Sequence, residues 1–272
     1  MKKRYPVEFV YQALSLILSL IVVHAFYVTA VRPRADAILA EQVAQMQIDP
    51  SYVQERSMWV IIRDFEQEAC FVLMFWAIAI MIYKGVASAR ERRLLLDDLV
   101  PLAEGTRILP EDAREYTRQI QTLSEKEQRS LLPRSLLAAL DRFTATRNIQ
   151  DVSTTAHAVC DSESERLDSE LSMVRYIAWA IPSIGFLGTV RGIGDALGQA
   201  HQAVEGNIAG VTQSLGVAFN STFVALLISI LLMFLLHQLQ LIQERLVLET
   251  ETYLDRNLIR HLQVTEAGVT GS

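Results

Sequence analysis

The chain is poor in cysteine, in strand-like alternation and in the residue clusters that carry catalysis. Only Cys70 and Cys160 occur; the first heads an apolar run and the second lies in a long polar stretch, so a disulfide between them within one chain is not expected. There is no metal-spaced His/Cys group, no glycine-rich phosphate loop after a strand and no nucleophile elbow. The usual sequence signs of an enzyme, a metal centre or a cofactor site are therefore missing, and a non-enzymatic protein is expected. Lys and Arg number 25 against 31 Asp and Glu, a net charge of −6, and nucleic acid is not an expected partner.

Apolar length is what the chain has in excess. Mean hydropathy is +0.23 although 21% of the residues are charged, so the two kinds of residue must be segregated along the chain. Phe9 to Val31, Ala69 to Ala87, Tyr176 to Leu197 and Leu215 to His237 carry the excess, each near the roughly 20 residues a helix needs to cross the hydrocarbon core. Lipid cannot satisfy backbone polar groups, and these runs lack the alternation of barrel strands, so the spanning elements must be helices. The expected fold is an all-α polytopic membrane protein with four transmembrane helices.

Orientation follows the positive charge near the span ends. Lys2, Lys3 and Arg4 precede the first run, and Lys84, Arg90, Arg92 and Arg93 crowd the end of the second. Both read as cytoplasmic and leave residues 32–68 on the periplasmic side, although Arg32, Arg34, Arg56 and Arg63 dilute the bias. The link from His201 to Thr212 has no Lys or Arg and fits the outer side; Arg175 and Arg245 fit the inner one. Both termini are then cytoplasmic. The other reading of the first run is a cleaved signal peptide, with Val28-Thr29-Ala30 as its cleavage site; its long apolar core favours retention.

The chain divides into residues 1–31 (N-terminus and first span), 32–68 (periplasmic), 69–87 (second span), 88–174 (cytoplasmic helices), 175–238 (third and fourth spans) and 239–272 (cytoplasmic helical tail). Pro110 before Glu111 and Asp112, Ser124 with Glu127, and Pro133 with Ser135 are helix starts within the polar stretch,. Val152, Ala156, Val159, Leu167, Leu171 and Val174 recur at helical spacing up to the third span, as do Leu239, Ile242, Leu246 and Tyr253 after the fourth. The third and fourth helices are therefore expected to extend into the cytoplasm, before a fraying tail from Gly268 to Ser272.

The third span is rich in glycine. Ala178, Pro182, Gly185, Thr189, Gly192 and Ala196 share a helical stripe, with Gly188 beside it; in the fourth span Ala218, Thr222, Ala225 and Ser229 form a second one,. Because one helix runs outward and the other inward, Thr189 and Thr222 are expected at a similar depth, a little outward of the membrane centre. Such stripes serve close helix packing, with hydroxyls bonded to the preceding turn, or line a weakly polar path.

The run Pro182-x-x-Gly185-x-x-Gly188-Thr189-Val190-x-Gly192-Ile193, completed by Ala196-Leu197, resembles the third-helix motif of the MotA/TolQ/ExbB proton-channel family. Ala218 to Leu226 is similar to that family's last-helix motif. The resemblance spans roughly Met173 to His237; the four spans look like the flagellar stator branch, and Gly188-Thr189-Val190 looks like the TolQ/ExbB branch. It implies a bacterial cytoplasmic (inner) membrane location and a homo-oligomer, a pentamer, around two helices of a single-span MotB/TolR/ExbD-like partner, each carrying a transmembrane Asp. Thr189 and Thr222 would face that Asp as the ion pathway. Pro182, Gly185, Gly188, Gly192, Ala218, Ala225 and Ser229 would line the pore or pack the helices. No cofactor is implied, and the transported ion is H+ in preference to Na+. Arg191 stands where TolQ and ExbB carry an aromatic residue, and Ala225 stands where the family has Gly.

Titratable groups within the spans are few. Arg191 and Asp195 are four apart and are expected to pair on the flank away from Thr189, offsetting a cost of about 2.5–3.5 kcal/mol for an unpaired central Arg; gating or partner contact is their other reading. His24 is read as a packing residue. Thr does not titrate near neutral pH, so any carrier of charge must come from elsewhere. A non-conducting membrane scaffold is the alternative to an ion-driven motor subunit, and a small membrane sensor is a third reading, without a binding signature in residues 32–68.

Overall fold

The structure, a computed structural model, describes residues 7–48, 57–96, 99, 107–204, 206 and 208–264. Lys2 to Arg4, Arg56 and the tail Gly268 to Ser272, which the sequence reading used for orientation and fraying, lie outside the described residues. The first helices are α1 (Val7–Phe26), α2 (Arg32–Ile48), α3 (Met58–Ile61) and α4 (Phe65–Leu94). There follow α5 (Ala113–Gln121), α6 (Glu125–Gln128), α7 (Leu131–Thr146) and α8 (Ile149–Glu170). The last are α9 (Ser172–Gly198), α10 (Ala200–Val204) and α11 (Ala209–Asn257). Among the described residues four helical stretches are long and apolar enough to cross a membrane, Glu8–Met46, Phe65–Leu94, Ile149–Gly198 and Ala209–His261, in agreement with the four apolar runs.

Residues Met1–Ile82 and Met173–His237 form one compact unit; Tyr83–Ser172 and Gln238–Ser272 form the other. In the first unit the N-terminal helix does not stop at Val31. A π-helical turn at Tyr27–Val31, in which the Arg32 N–H donates to the Tyr27 carbonyl, joins α1 to α2. The wide turn sits where Pro33 lacks an N–H and its ring would collide with the carbonyl of Thr29 in a regular helix,. Val23, Tyr27 and Val31 bury against Val72, with Trp59 and Phe71 beside them. Trp76 Nε1 donates to the Gln12 carbonyl at 2.9 Å and Tyr11 Oη to that of Ala79 at 3.1 Å, fastening α1 to α4. Leu14, Ile17, Leu18 and Ile21 of α1 and Phe223, Leu227, Ile230 and Phe234 of α11 are exposed, a density of outward apolar side chains that water does not tolerate and lipid requires.

The second unit is a helical bundle with its own core. Leu131, Leu136, Leu140 and Phe143 of α7 pack with Val152, Ala156 and Cys160 of α8 and with Leu254 and Leu258. Both Cys70 and Cys160 are buried free thiols. Ser124 caps α6 in a full capping box with Glu127, as the Ser-x-x-Glu spacing predicts, and the two hydrogen bonds from Ser124 hold the Glu127 carboxyl below the usual carboxylate range. Helix α7 begins at Leu131, so Pro133 falls inside its first turn rather than opening it,. Arg147 closes α7 at φ 52°, and Asn148 then caps α8 by accepting from the Gln150 and Asp151 amides, which folds the two helices into a hairpin. Glu163 is 2% exposed and receives Arg134 and Arg166, a buried carboxylate made tolerable by paired guanidiniums. The Phe143 ring is fully buried, so Phe143→Ala should destabilise this unit by about 3–5 kcal/mol, read as a lower denaturation midpoint of the full chain in detergent.

Candidate ion pathway

Glycine decides how closely α9 and α11 approach. Gly185, Gly188 and Gly192 are buried along one face of α9. A Cβ at Gly185 would overlap the Ala225 methyl and meet the Ser221 carbonyl at 3.1 Å. At Gly188 it would meet the Ser221 side chain at 2.5 Å, and at Gly192 the Ala218 nitrogen and the Ser214 carbonyl at 2.7 Å. Real Cβ atoms do not approach so closely, so this seam exists only without side chains on α9. Ala218 and Ala225 are fully buried on the facing helix. Gly194, off the seam, would meet nothing within 4 Å.

Two hydroxyls meet at the edge of the seam. Thr189 Oγ1 and Thr222 Oγ1 are 2.5 Å apart. Carbonyls also draw on them: Ala218 O accepts from Thr189 Oγ1 at 3.0 Å and Gly185 O from Thr222 Oγ1 at 3.1 Å. Each hydroxyl has one proton, so when one donates to the other a single proton remains for the carbonyls. Both residues are half-buried, and a carboxylate reaching the open side can take that proton in a charge-assisted hydrogen bond.

Pro182 and Ser229 act together. Proline has no N–H, so the Ala178 carbonyl one turn earlier loses its helical donor; Ser229 Oγ of α11 supplies it at 3.0 Å. Ser229 therefore repairs the backbone that Pro182 opens.

At the head of α4 three consecutive residues reach three ways. Glu66 pairs with Arg191 of α9 at 2.9 Å. Gln67 Nε2 donates to Ser221 Oγ of α11 at 3.3 Å and to the Ile61 carbonyl at 3.1 Å. Glu68 accepts from Arg32 of α2 and lies 2.6 Å from His24 Nδ1 of α1.

Helix α9 thus carries the Pro-Gly-Gly-Thr stripe against a Thr-bearing α11, with the two hydroxyls in contact. Residues 127–252 match the MotA/TolQ/ExbB proton channel family. The match takes in α7 to α10 and most of α11, and so both stripes; α1 to α4 lie before it. Among curated proteins no match to the chain was found. The MotA/TolQ/ExbB match bears out the resemblance read from the two motifs and extends it back into the second unit.

The residues before this MotA/TolQ/ExbB segment correct one expectation. Arg191 does not pair with Asp195: its guanidinium sits on Glu66 and, at 3.9 Å, on Asp64, while Asp195 is exposed and makes no ion pair among the described residues. The Glu66 and Asp64 side chains are only 15% and 12% exposed, and attraction to a carboxylate shielded from water exceeds that to a solvated one. Burial pushes the Asp64 carboxyl above its usual range, opposed by Arg63 and Arg191. His24, read as a packing residue, bonds Glu68 instead. Glu66, Gln67 and Ser221 were not singled out from the sequence; three polar residues in a row at the head of an apolar span were the available signal.

The seam makes two measurable demands. Gly185→Ala should cost about 1–3 kcal/mol by forcing the helices apart, whereas Gly194→Ala should be neutral, compared by unfolding in detergent. Ser229→Ala should cost about 1–3 kcal/mol by orphaning the Ala178 carbonyl; in a Pro182→Ala background, where the helix supplies its own donor, a double-mutant cycle should show most of that cost gone.

Proposed function

We propose that this chain is the channel-forming subunit of an ion-driven motor of a bacterial cytoplasmic membrane, with N- and C-termini in the cytoplasm. Five copies surround two single-span partner helices, each with a transmembrane Asp that carries the ion, H+ in preference to Na+. The observation that carries this reading is the Thr189–Thr222 contact, half-buried at the edge of the glycine seam.

The chemistry follows from the hydroxyl protons. An ionised Asp at the pair accepts from a Thr hydroxyl that otherwise serves a carbonyl; once protonated it needs less, lets go and passes to the next subunit's pair. Loading on the outer side and release on the inner one would turn ion flow into stepwise motion. Each elementary charge crossing the potential supplies about 2.3 kcal/mol per 100 mV. The exposed apolar faces of α1 and α11 support a membrane setting with sister subunits and lipid around the pore.

The non-conducting scaffold is favoured by a different observation: within one chain the small stripes already pack against each other, and both hydroxyls have carbonyl acceptors. The double variant Thr189→Ala/Thr222→Ala separates the two readings. Removing both hydroxyls leaves the glycine seam intact, so assembly should persist, seen as an unchanged elution volume with the partner. Ion-dependent work should fall by about a hundredfold or more. Unchanged work in a correctly assembled complex would defeat the motor reading and leave the scaffold.

A further inference from the structure

The carboxylate of Glu68 is 10% exposed, yet it sits at the head of a helix that reads as a membrane span. Arg32 donates to one of its oxygens, and its guanidinium in turn lies over the rings of Phe65 and Tyr27, at 4.5 and 5.8 Å from their centroids. The other oxygen is 2.6 Å from His24 Nδ1, and the His24 side chain is 58% exposed. An imidazole on the outward side of α1, near the outer end of its apolar run, therefore contacts a nearly enclosed carboxylate.

Two buried polar atoms, one on the π turn next to α1 and one on the residue before Glu68, point to water. The Tyr27 hydroxyl lies within electrostatic reach of Glu68, Arg32 and Asp64, belongs to a side chain 1% exposed and has no hydrogen-bond partner among the described residues. Gln67 is fully buried; its Nε2 is committed to Ser221 and Ile61, and its Oε1 has no partner. A hydroxyl and an amide oxygen left in this way are completed by water, which bonds to several polar groups at once. The π turn that holds Tyr27 is of a kind found frequently at functional sites,.

We infer that Glu68, paired with His24 and held by Arg32, is a proton-loading site of this chain, which passes protons by way of water beside Tyr27 and Gln67 toward the threonine pair. The inference rests on the motor reading for its direction, outside to pathway. A proton from outer water adds to His24 Nε2, and the ring gives its Nδ1 proton to Glu68 Oε1, becoming neutral again. Glu68 passes that proton to the adjoining water and returns to the carboxylate, while a ring flip resets His24. One proton enters and one leaves, and no bond other than N–H and O–H changes.

The charged and titratable groups around Glu68 come from every packed element. Helix α1 gives His24, the π turn gives Tyr27, α2 gives Arg32, and α4 with the residue before it gives Asp64, Glu66 and Cys70. Helix α9 gives Arg191, already engaged by Glu66 and Asp64, and α11 gives the uncharged Ser221.

The test uses the assembled complex in its native membrane, with proton flux measured against outer pH and infrared difference spectra recorded between acid and neutral pH. In Glu68→Gln and His24→Gln, flux at alkaline outer pH should fall by about a hundredfold, and most of it should return at acid outer pH, where protons no longer need a collecting group. A carboxylic-acid band induced by acid should vanish in Glu68→Gln, persist with a displaced midpoint in His24→Gln, and return in Glu68→Asp. A variant that merely misfolds would lose flux at every pH and lose the complex on size exclusion; Glu68→Asp and His24→Gln then carry the test. Wild-type flux and an unchanged band in Glu68→Gln overturn the inference while leaving the Thr189–Thr222 pathway standing. The expected band shifts together with unimpaired work in the threonine double variant would instead keep the loading site and remove the motor reading.

Discussion

The close approach of α9 and α11 is the constraint on which the rest depends. Backbone meets backbone at Gly185 and Gly192, at distances a Cβ would forbid, and this places the Thr189 and Thr222 hydroxyls within 2.5 Å of each other. Without the glycines the two helices would stand further apart, and each threonine would be left to bond its own preceding turn. With them, the hydroxyls share protons and carbonyls across the seam. The same proximity lets Ser229 mend the helix that Pro182 interrupts, so a proline in mid-span is accommodated without an orphaned carbonyl.

A second constraint is the cost of charge in a lipid-facing unit. The carboxylates of Glu66 and Glu68 and the guanidiniums of Arg32 and Arg191 are each placed against an opposite charge on another helix. Because neighbouring positions on α4 point about 100° apart, Glu66, Gln67 and Glu68 address α9, α11 and the α1–α2 pair separately. The head of α4 thereby joins the helices of the first unit through polar contacts, where lipid gives helices no hydrophobic reason to associate. The second unit follows the opposite logic: its α7–α8 hairpin is held by an apolar core, and its buried Glu163 is an exception carried by two arginines.

Much of the fold was legible because its signals are local. Four apolar runs gave four span-length helices. The Ser124–Glu127 spacing gave a capping box, and apolar spacing carried α11 on past His237 to Asn257. The continuation of the first helix beyond Val31 was less so, since polar residues 32–48 read as a separate segment and the π turn answers to Pro33 rather than to hydropathy. At the candidate site the stripes themselves were legible, as small residues at helical spacing; their use as one mutual seam was not, since periodicity gives a face and not what covers it.

Sequence alone determined the class of protein, the positions of its spans and the two motifs that the MotA/TolQ/ExbB match contains, because hydrophobic length and helical period are properties of contiguous residues. Tertiary structure alone decided who meets whom. Arg191 chose Glu66 over the nearer Asp195, His24 found Glu68 across two helices, and Ser229 became the donor for Ala178. In each case the partner is set by which buried, poorly solvated group the packing brings within reach, and no spacing along a single helix encodes that.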